Sequence, residues 1–343
     1  MAKFGIYILT YPGDYYLSFA LINSLKYFNP DIPITIIPGN GFSIDSFPYP
    51  QIDVLECPAS FLYESEIGHD RKFWAFDGPY ERFLYIDADV INLKNLGSLI
   101  DRILTATEPF LFANLGHEYE PDQAKLFESL PDASWDERVK WHRHRTGNLD
   151  NLEKFDSSFP FNQTYVFNGG LWASSRDSFS IDWFNQLRQR EINLFQDHLG
   201  KPYHEYNFGD LFYGDQAKLA YLAHSNDVNV GNLYPDGHYR WGGHAFSEPL
   251  GRILSNQASV PFIHWAGVPR PSESLFSRAP LFYFNTKLMH VSYTFKTQKS
   301  VPALNAWEYF SRGMKKRPLR RTLGGFRWIM LPAIRKMLSR LLN

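Results

Sequence analysis

Cysteine is almost absent from this chain, and long uncharged hydrophobic runs are absent altogether. Cys57 is the only cysteine among 343 residues, so no intrachain disulfide can form and a reducing compartment is expected. The first residues, Met1 to Phe4, enter a strand-like segment without a signal-peptide pattern. No stretch is long and uncharged enough to span a bilayer. Together these absences predict a cytoplasmic protein.

Internal repeats and low-complexity segments are also absent. Charged residues make up 21% of the chain and hydrophobic residues 44%, which is typical of a globular, well-cored protein and excludes global disorder. Aromatic residues are abundant at 17%. We expect many of them to build the core and others to line a carbohydrate or nucleotide site.

Acidic residues are missing from the C-terminal end. Residues 312–343 hold ten of the 35 Lys and Arg and no acid, so this tail carries +10 and the rest of the chain −11. A charge split of this kind indicates a partner rather than a fold. The tail also has an apolar stripe with steps of three or four residues, formed by Leu323, Phe326, Met330, Ile334, Met337 and Leu341.

This basic amphipathic tail predicts a helix that lies on an anionic membrane surface as a peripheral contact at its inner face. Pro332 would kink or restart the helix. The alternative is a terminal helix docked on the acidic body. No nucleic-acid partner is predicted.

Strand-length apolar runs alternate with helical patterns, as in Phe4–Leu9 followed by Tyr15–Phe28. The alternation predicts an α/β fold with a mostly parallel central sheet flanked by helices. The alternation of strand and helix patterns stops over residues 114–163. This predicts an insertion that covers the site and contacts an acceptor, or equally a solvated loop region. We expect one domain over residues 1–300 and the basic amphipathic tail over residues 301–343.

Two aspartates follow the apolar run Phe83–Ile86. A continuous apolar run favours a strand buried on both faces, and ligands of parallel α/β sheets bind beyond the carboxyl ends of such strands. Asp87 and Asp89 are two residues apart, so both carboxylates can project to one side. Hard oxygen ligands suit Mg²⁺ or Mn²⁺. The alternative is that one aspartate caps the next helix while the other is solvated.

Several short motifs succeed one another between residues 4 and 271. They are Leu9-Thr10 followed by Tyr15, Arg71-Lys72-Phe73-Trp74, Leu84 to Val90, Phe167-Asn168-Gly169-Gly170, Asp215-Gln216, and His264 to Pro271. In this order they resemble the family-eight glycosyltransferases and their glycogenin-like relatives, which have the GT-A fold. The last motif departs from the family pattern, because Arg270 stands where lysine is usual and Ser272 where tryptophan is common.

The resemblance implies a metal-dependent enzyme that uses a nucleotide sugar. By this resemblance Asp87, Asp89 and His264 hold the cation, and a mixed oxygen and imidazole set suits Mn²⁺ better than Mg²⁺. The cation would stabilise the leaving diphosphate. The alternative for His264 is a satisfied core histidine beside Trp265.

The resemblance also implies a donor site for a nucleotide diphosphate sugar, with a UDP-hexose expected. Thr10 belongs to the nucleobase loop, and Tyr15 would stack on the base, with Tyr16 as the competing choice. Either Lys72 or Arg71 would contact donor phosphate or sugar.

Further donor contacts are implied near the later motifs. Asp87 would lie near the ribose, and Asn168 would bond sugar hydroxyls. Gly169 and Gly170 let the backbone approach a ligand closely, unless they only form a bulge or strand end. In the last motif Gly267 keeps the spacing and Arg270 would grip the diphosphate.

Asp215 and Gln216 are the candidate catalytic pair. The resembling family retains anomeric configuration, and these side chains would then lie beneath the anomeric carbon, where they could stabilise an oxocarbenium-like transition state. Asp215 could also be a helix N-cap after Gly214.

The predicted function is transfer of a hexose to a saccharide or lipid-linked acceptor. The alternatives are an aspartate-nucleophile phosphotransferase or phosphatase, which also places Asp-x-Asp at a strand end, and a sugar-binding relative without turnover.

Overall fold

A seven-stranded, mostly parallel β-sheet organises the part of the chain that the structure describes. The structure is a computed structural model, and it describes residues 2–12, 14–44, 47, 49, 52–57, 69–114, 149–159, 167–198, 211–212, 214–233, 239–241, 250–264 and 284. The strands of the large sheet are β1 (Ala2–Thr10), β2 (Ile34–Pro38), β3 (Asp53–Val54), β4 (Tyr80–Ile86), β6 (Phe110–Asn114), β7 (Phe167–Ser175) and β8 (Val230–Asn232).

The strand order in this sheet is β3-β2-β1-β4-β7-β6-β8. All neighbours pair in parallel except β7, which runs antiparallel to both β4 and β6. A smaller sheet has β10 (Phe262–His264) between β5 (Val90–Asn92) and β9 (Tyr239–Trp241). The expected α/β fold with a mostly parallel central sheet is confirmed.

Helices cover the sheet. They are α1 (Tyr15–Phe28), α2 (Gly97–Thr105), α3 (Leu149–Phe155), α4 (Ile181–His198), α5 (Gly214–Ser225) and α6 (Leu250–Leu254), with 3₁₀ helices at His69–Asp77 and Arg176–Ser178. None of these described helices is both long and apolar enough to cross a bilayer.

The two faces of the sheet carry different side chains because successive strand residues point to opposite sides. One face buries aromatic rings, including Tyr7, Phe83, Tyr85 and Trp172. The other buries aliphatic side chains, including Ile6, Ile8, Leu84 and Ile86. Burial on both faces explains why β1 and β4 are continuous apolar runs.

The predicted elements agree with the structure in kind and differ in extent. The predicted helix Tyr15–Phe28 is α1 with the same bounds, whereas the central strand begins earlier than Phe83, at Tyr80. The segment that carries the motif Arg71-Lys72-Phe73-Trp74 is a 3₁₀ helix. Most of 114–163 and all of the tail 301–343 lie outside the described residues, so the insertion and the tail stay predictions.

Candidate active site

Asp87 is the first residue after β4, and the antiparallel neighbour β7 fixes its backbone. Its N–H donates to the carbonyl of Gly170 at 2.8 Å, which continues the β4–β7 pairing by one residue. A tight turn follows, in which the N–H of Val90 donates to the carbonyl of Asp87 at 3.1 Å. This turn places Asp89 directly before β5.

His264 reaches these aspartates through the smaller sheet. It ends β10, and its backbone is the antiparallel partner of Val90. Its Nε2 lies 3.0 Å from Oδ1 of Asp89. One ligand atom from each of Asp87, Asp89 and His264 falls within 4.8 Å of the others. The structure therefore brings together the three side chains that the sequence resemblance assigned to a cation.

The buried imidazole of His264 is electrostatically coupled to Asp89. Burial disfavours the charged imidazolium, but the carboxylate of Asp89 and its hydrogen bond outweigh burial, so the pKa of His264 is raised. The site favours a positive charge at this position.

Lys72 is the second cationic group of the site and is 1% exposed. Its Nζ donates to Asp87 Oδ1 at 3.0 Å, to Asp215 Oδ2 at 2.9 Å and to the carbonyl of Gly169 at 3.3 Å. Burial lowers the lysine pKa, but Asp215 and Asp87 more than offset it, so the pKa of Lys72 is raised. The ammonium group joins the end of β4 to the start of α5.

Tyr85 and Trp172 lie beside the ion pairs that Lys72 forms. The hydroxyl of Tyr85 donates to Asp87 Oδ1 at 2.6 Å, and its ring stacks on Trp172 with centroids 4.9 Å apart. The indole N–H of Trp172 donates to the carbonyl of Gly169, which also accepts from Lys72. Burial raises the pKa of Tyr85, so its hydroxyl remains a donor. Asp87 Oδ1 thus accepts from two donors of the protein itself.

Asp215 approaches β7 so closely that a side chain at position 169 would meet its carboxylate. A Cβ at position 169 would lie 2.3 Å from Asp215 Oδ2. Gly214 precedes Asp215 with φ of +75°, a left-handed conformation that glycine adopts at no steric cost. Asp215 and Gln216 form the first turn of α5 and are both partly exposed.

Asp14 is a charged residue of this region that the sequence reasoning missed. Burial raises its pKa from 3.8 to about 6; a hydrogen bond from Tyr11 opposes the shift, and the charges of Asp89 and Asp87 add to it. A carboxylate in the loop before α1 has no motif around it, so the only signal was its position after a strand end.

The remaining predicted donor residues have diverse environments. Thr10 is fully buried and its hydroxyl bonds that of Ser18, while Tyr15 contacts the rings of Phe19, Phe42 and Phe47. The guanidinium of Arg71 donates to the carbonyl of Pro38 at 3.0 Å, away from the partners of Lys72. Asn168, Gly169 and Gly170 lie in β7. Gly267 and Arg270 lie outside the described residues.

Solved structures of glycosyltransferases share this architecture. An active-site mutant of LgtC has a TM-score of 0.51 at 14% identity over 89% of this chain and 99% of that chain. The chain has a GT-A fold. The GT-A fold expected from the sequence resemblance is thereby confirmed.

Two further GT-A structures are less similar. The galactosyltransferase LgtC with donor and acceptor sugar analogues has a TM-score of 0.48 at 13% identity, covering 87% of this chain and 98% of that chain. The glycosyltransferase GlyE of Streptococcus pneumoniae TIGR4 has a TM-score of 0.44 at 14% identity, covering 87% and 65%. No family model and no curated protein matches the chain.

Proposed function

We propose that this chain is a metal-dependent, retaining glycosyltransferase that moves a hexose from a UDP-sugar to a saccharide or lipid-linked acceptor. The observation that carries the proposal is the cluster of Asp87, Asp89 and His264 at the end of β4 in a GT-A fold. The pair of Lys72 and Asp215 beside it supplies the charged groups of a reaction centre.

The donor set fits a divalent cation. Two carboxylates and one imidazole offer ligand atoms within 4.8 Å of one another, and this mixture suits Mn²⁺ better than Mg²⁺. Tyr85 and Lys72 both donate to Asp87 Oδ1, and such outer contacts orient a ligating carboxylate. When bound, the cation would supply Lewis-acid stabilisation of the leaving diphosphate.

The chain's own residues orient the reacting groups. Lys72 fixes the Asp215 carboxylate through a 2.9 Å ion pair in a buried setting, where charges act strongly. The anionic Asp215 would stabilise positive charge that develops at the anomeric carbon, and the amide carbonyl of Gln216 would assist it. Retention of configuration belongs to this proposal.

Donor binding is assigned to the residues that the sequence motifs named. Tyr15 and Thr10 lie at the start of α1 and the end of β1, beside the strand ends where α/β sheets bind ligands. Asn168 and Gly170 of β7 would approach the sugar, Lys72 or Arg71 would contact donor phosphate or sugar, Gly267 would keep the spacing of its motif, and Arg270 would reach the diphosphate. The last two are proposed on sequence motif alone.

Thermal shift with nucleotide sugars tests the proposal. We expect UDP-hexoses to raise the melting temperature with Mn²⁺ and to have little effect with EDTA, because a ligand of the native state stabilises it. The Asp89→Asn variant should lose the shift. Asp101→Asn, which changes an exposed aspartate on α2, should keep it.

Turnover assays separate the proposed function from its rivals. Manganese-dependent hydrolysis of a UDP-hexose, with product of the donor's anomeric configuration by NMR, supports a retaining transferase. Hydrolysis of p-nitrophenyl phosphate without UDP binding would instead support an aspartate-nucleophile phosphatase. Sugar-nucleotide binding without hydrolysis or transfer would support a binding protein.

A further inference from the structure

A second cluster of buried charges lies on the two segments that carry Lys72 and Asp215 and on α4. Lys218 Nζ lies 2.6 Å from Asp70 Oδ2 and 3.4 Å from Glu191 Oε1, and Arg188 Nη1 lies 4.0 Å from Glu191 Oε2. All four side chains are at most 8% exposed. We refer to Asp70, Arg188, Glu191 and Lys218 as the rear ion network.

The rear ion network joins the two elements that carry the reaction centre. Lys218 follows Asp215 by three residues on α5, so the two side chains lie on one face of the helix. Asp70 precedes Lys72 by two residues in the same 3₁₀ helix. The Lys218–Asp70 pair therefore connects the same two segments as the Lys72–Asp215 pair.

Stability alone does not require charges at this place. Burying ions costs free energy, and well-packed apolar residues often serve equally well or better. Burial raises the pKa of Glu191, with Lys218 acting in the opposite direction, which indicates that the network is desolvated. The Lys218–Asp70 contact also sets a short distance, 2.6 Å, between the 3₁₀ helix and α5.

We propose that Asp70 and Lys218 are positioning residues that hold Lys72 against Asp215. The inference rests on the proposed function, because it assigns the rear ion network a role in the same reaction. Loss of either partner lets the start of α5 shift relative to the 3₁₀ helix. A displacement of about 1 Å at a reaction centre can reduce turnover on the order of 100-fold.

Kinetics of Asp70→Asn and Lys218→Met test this role. With Mn²⁺ and UDP-glucose or UDP-galactose, whichever raises the melting temperature more, we expect kcat to fall about tenfold to 100-fold while KM stays within about twofold. The Lys218→Arg variant keeps the charge and should recover most of kcat. Leu187→Ala, a buried position on α4, is the matched control for lost stability.

A double-mutant cycle shows through which residue the network acts. If it acts by positioning Lys72, then Asp70→Asn should lower kcat little further in a Lys72→Met background, because coupled sites are not additive. If Asp70→Asn acts only through a general loss of structure, its fold-reduction in kcat should multiply with that of Lys72→Met. The kcat of Asp70→Asn and of Lys218→Met is compared with that of Leu187→Ala when the melting temperatures are the same. If kcat falls no further in the two network variants than in Leu187→Ala, the proposal is overturned.

Crystal structures of Asp70→Asn and Lys218→Met give a test that needs no activity. We expect the Lys72 Nζ to Asp215 Oδ2 distance to lengthen beyond hydrogen-bond range from its 2.9 Å. An unchanged pair overturns the positioning role even if the enzyme is active. Conversely, an altered pair in a protein that turns over no nucleotide sugar would reject the proposed function and keep the structural link.

Discussion

At the scale of single residues, one buried ammonium group faces two carboxylates from different parts of the chain. Removing Lys72 as Lys72→Met would leave Asp87 and Asp215 without their common partner. Breaking a buried ion network by removing one member costs about 3–5 kcal/mol, so we expect a loss of this size in the free energy of unfolding in urea. Lys72→Arg should lose less, and equal stability of Lys72→Met and the parent would contradict the assigned geometry.

A substitution at Gly169 tests the site by steric crowding and leaves its charges unchanged. In Gly169→Ala the new Cβ would lie 2.3 Å from Asp215 Oδ2, so the carboxylate must move away from Lys72. We expect kcat to fall on the order of 100-fold, measured as manganese-dependent UDP-sugar hydrolysis. Gly251→Ala is the control, because a Cβ there meets nothing within 4 Å. Full activity of Gly169→Ala would show that Asp215 does not act from this position.

Asp14 predicts a pH dependence of stability. Its pKa is raised to about 6 in the folded protein from 3.8, so the native state binds more protons than the unfolded state between these values. Stability contributed by Asp14 is therefore fully present below about pH 4 and is lost as the pH rises through 6.

The Asp14→Asn variant removes this dependence. Without metal we expect it to be more stable than the parent at pH 8 by on the order of 1 kcal/mol, and no more stable at pH 4. Urea unfolding at the two pH values measures the difference. If the two proteins differ in free energy of unfolding by the same amount at pH 4 and pH 8, titration of Asp14 is ruled out as the cause.

At the scale of elements, the start of α5 depends on one backbone conformation. Gly214 has φ of +75°, and an alanine there would be strained in the left-handed region. We expect Gly214→Ala to lower the free energy of unfolding by about 1–2 kcal/mol and to turn Asp215 away from Lys72. Chemical unfolding and hydrolysis assays check both effects; an unperturbed kcat would separate the turn from catalysis.

Sequence patterns predict best the helices and strands that are long enough to show a hydrophobic period. Helix α1 was predicted with its observed bounds because a polar turn precedes fourteen residues with helical spacing. Strands β5 and β9 have three residues each, too few for a period to show, and they were missed. Since β5 is what aligns β10 with the aspartates, the approach of His264 to Asp89 had to be inferred from resemblance.

The choice between Arg71 and Lys72 could not be read from sequence either. Both are basic and adjacent, and which one faces Asp87 depends on the rotation of a 3₁₀ helix that no periodicity specifies. Asp14 and the rear ion network were missed because neither forms a recognisable motif, and the Lys218–Asp70 pair joins residues that lie 148 positions apart in the chain.

At the scale of the whole molecule, the basic tail predicts contact with an anionic membrane surface. Residues 312–343 carry +10 against a body of −11, and each basic residue near an anionic surface adds about 1 kcal/mol to binding. We expect the full chain to float with phosphatidylserine-containing liposomes and a 1–311 truncation to remain unbound. Replacing Arg320, Arg321, Arg335 and Lys336 by Gln in the full chain should also weaken flotation, and equal lipid binding by all three proteins would reject the membrane contact.

The register between β10 and β5 has a consequence for how the molecule matures. His264 is 175 residues beyond Asp89 and meets it only once β10 has added to the small sheet. A nascent or clipped chain that stops short of β10 has two aspartates but no imidazole to complete the set. Under the proposed function, tight cation binding would therefore come late, only after the small sheet has formed.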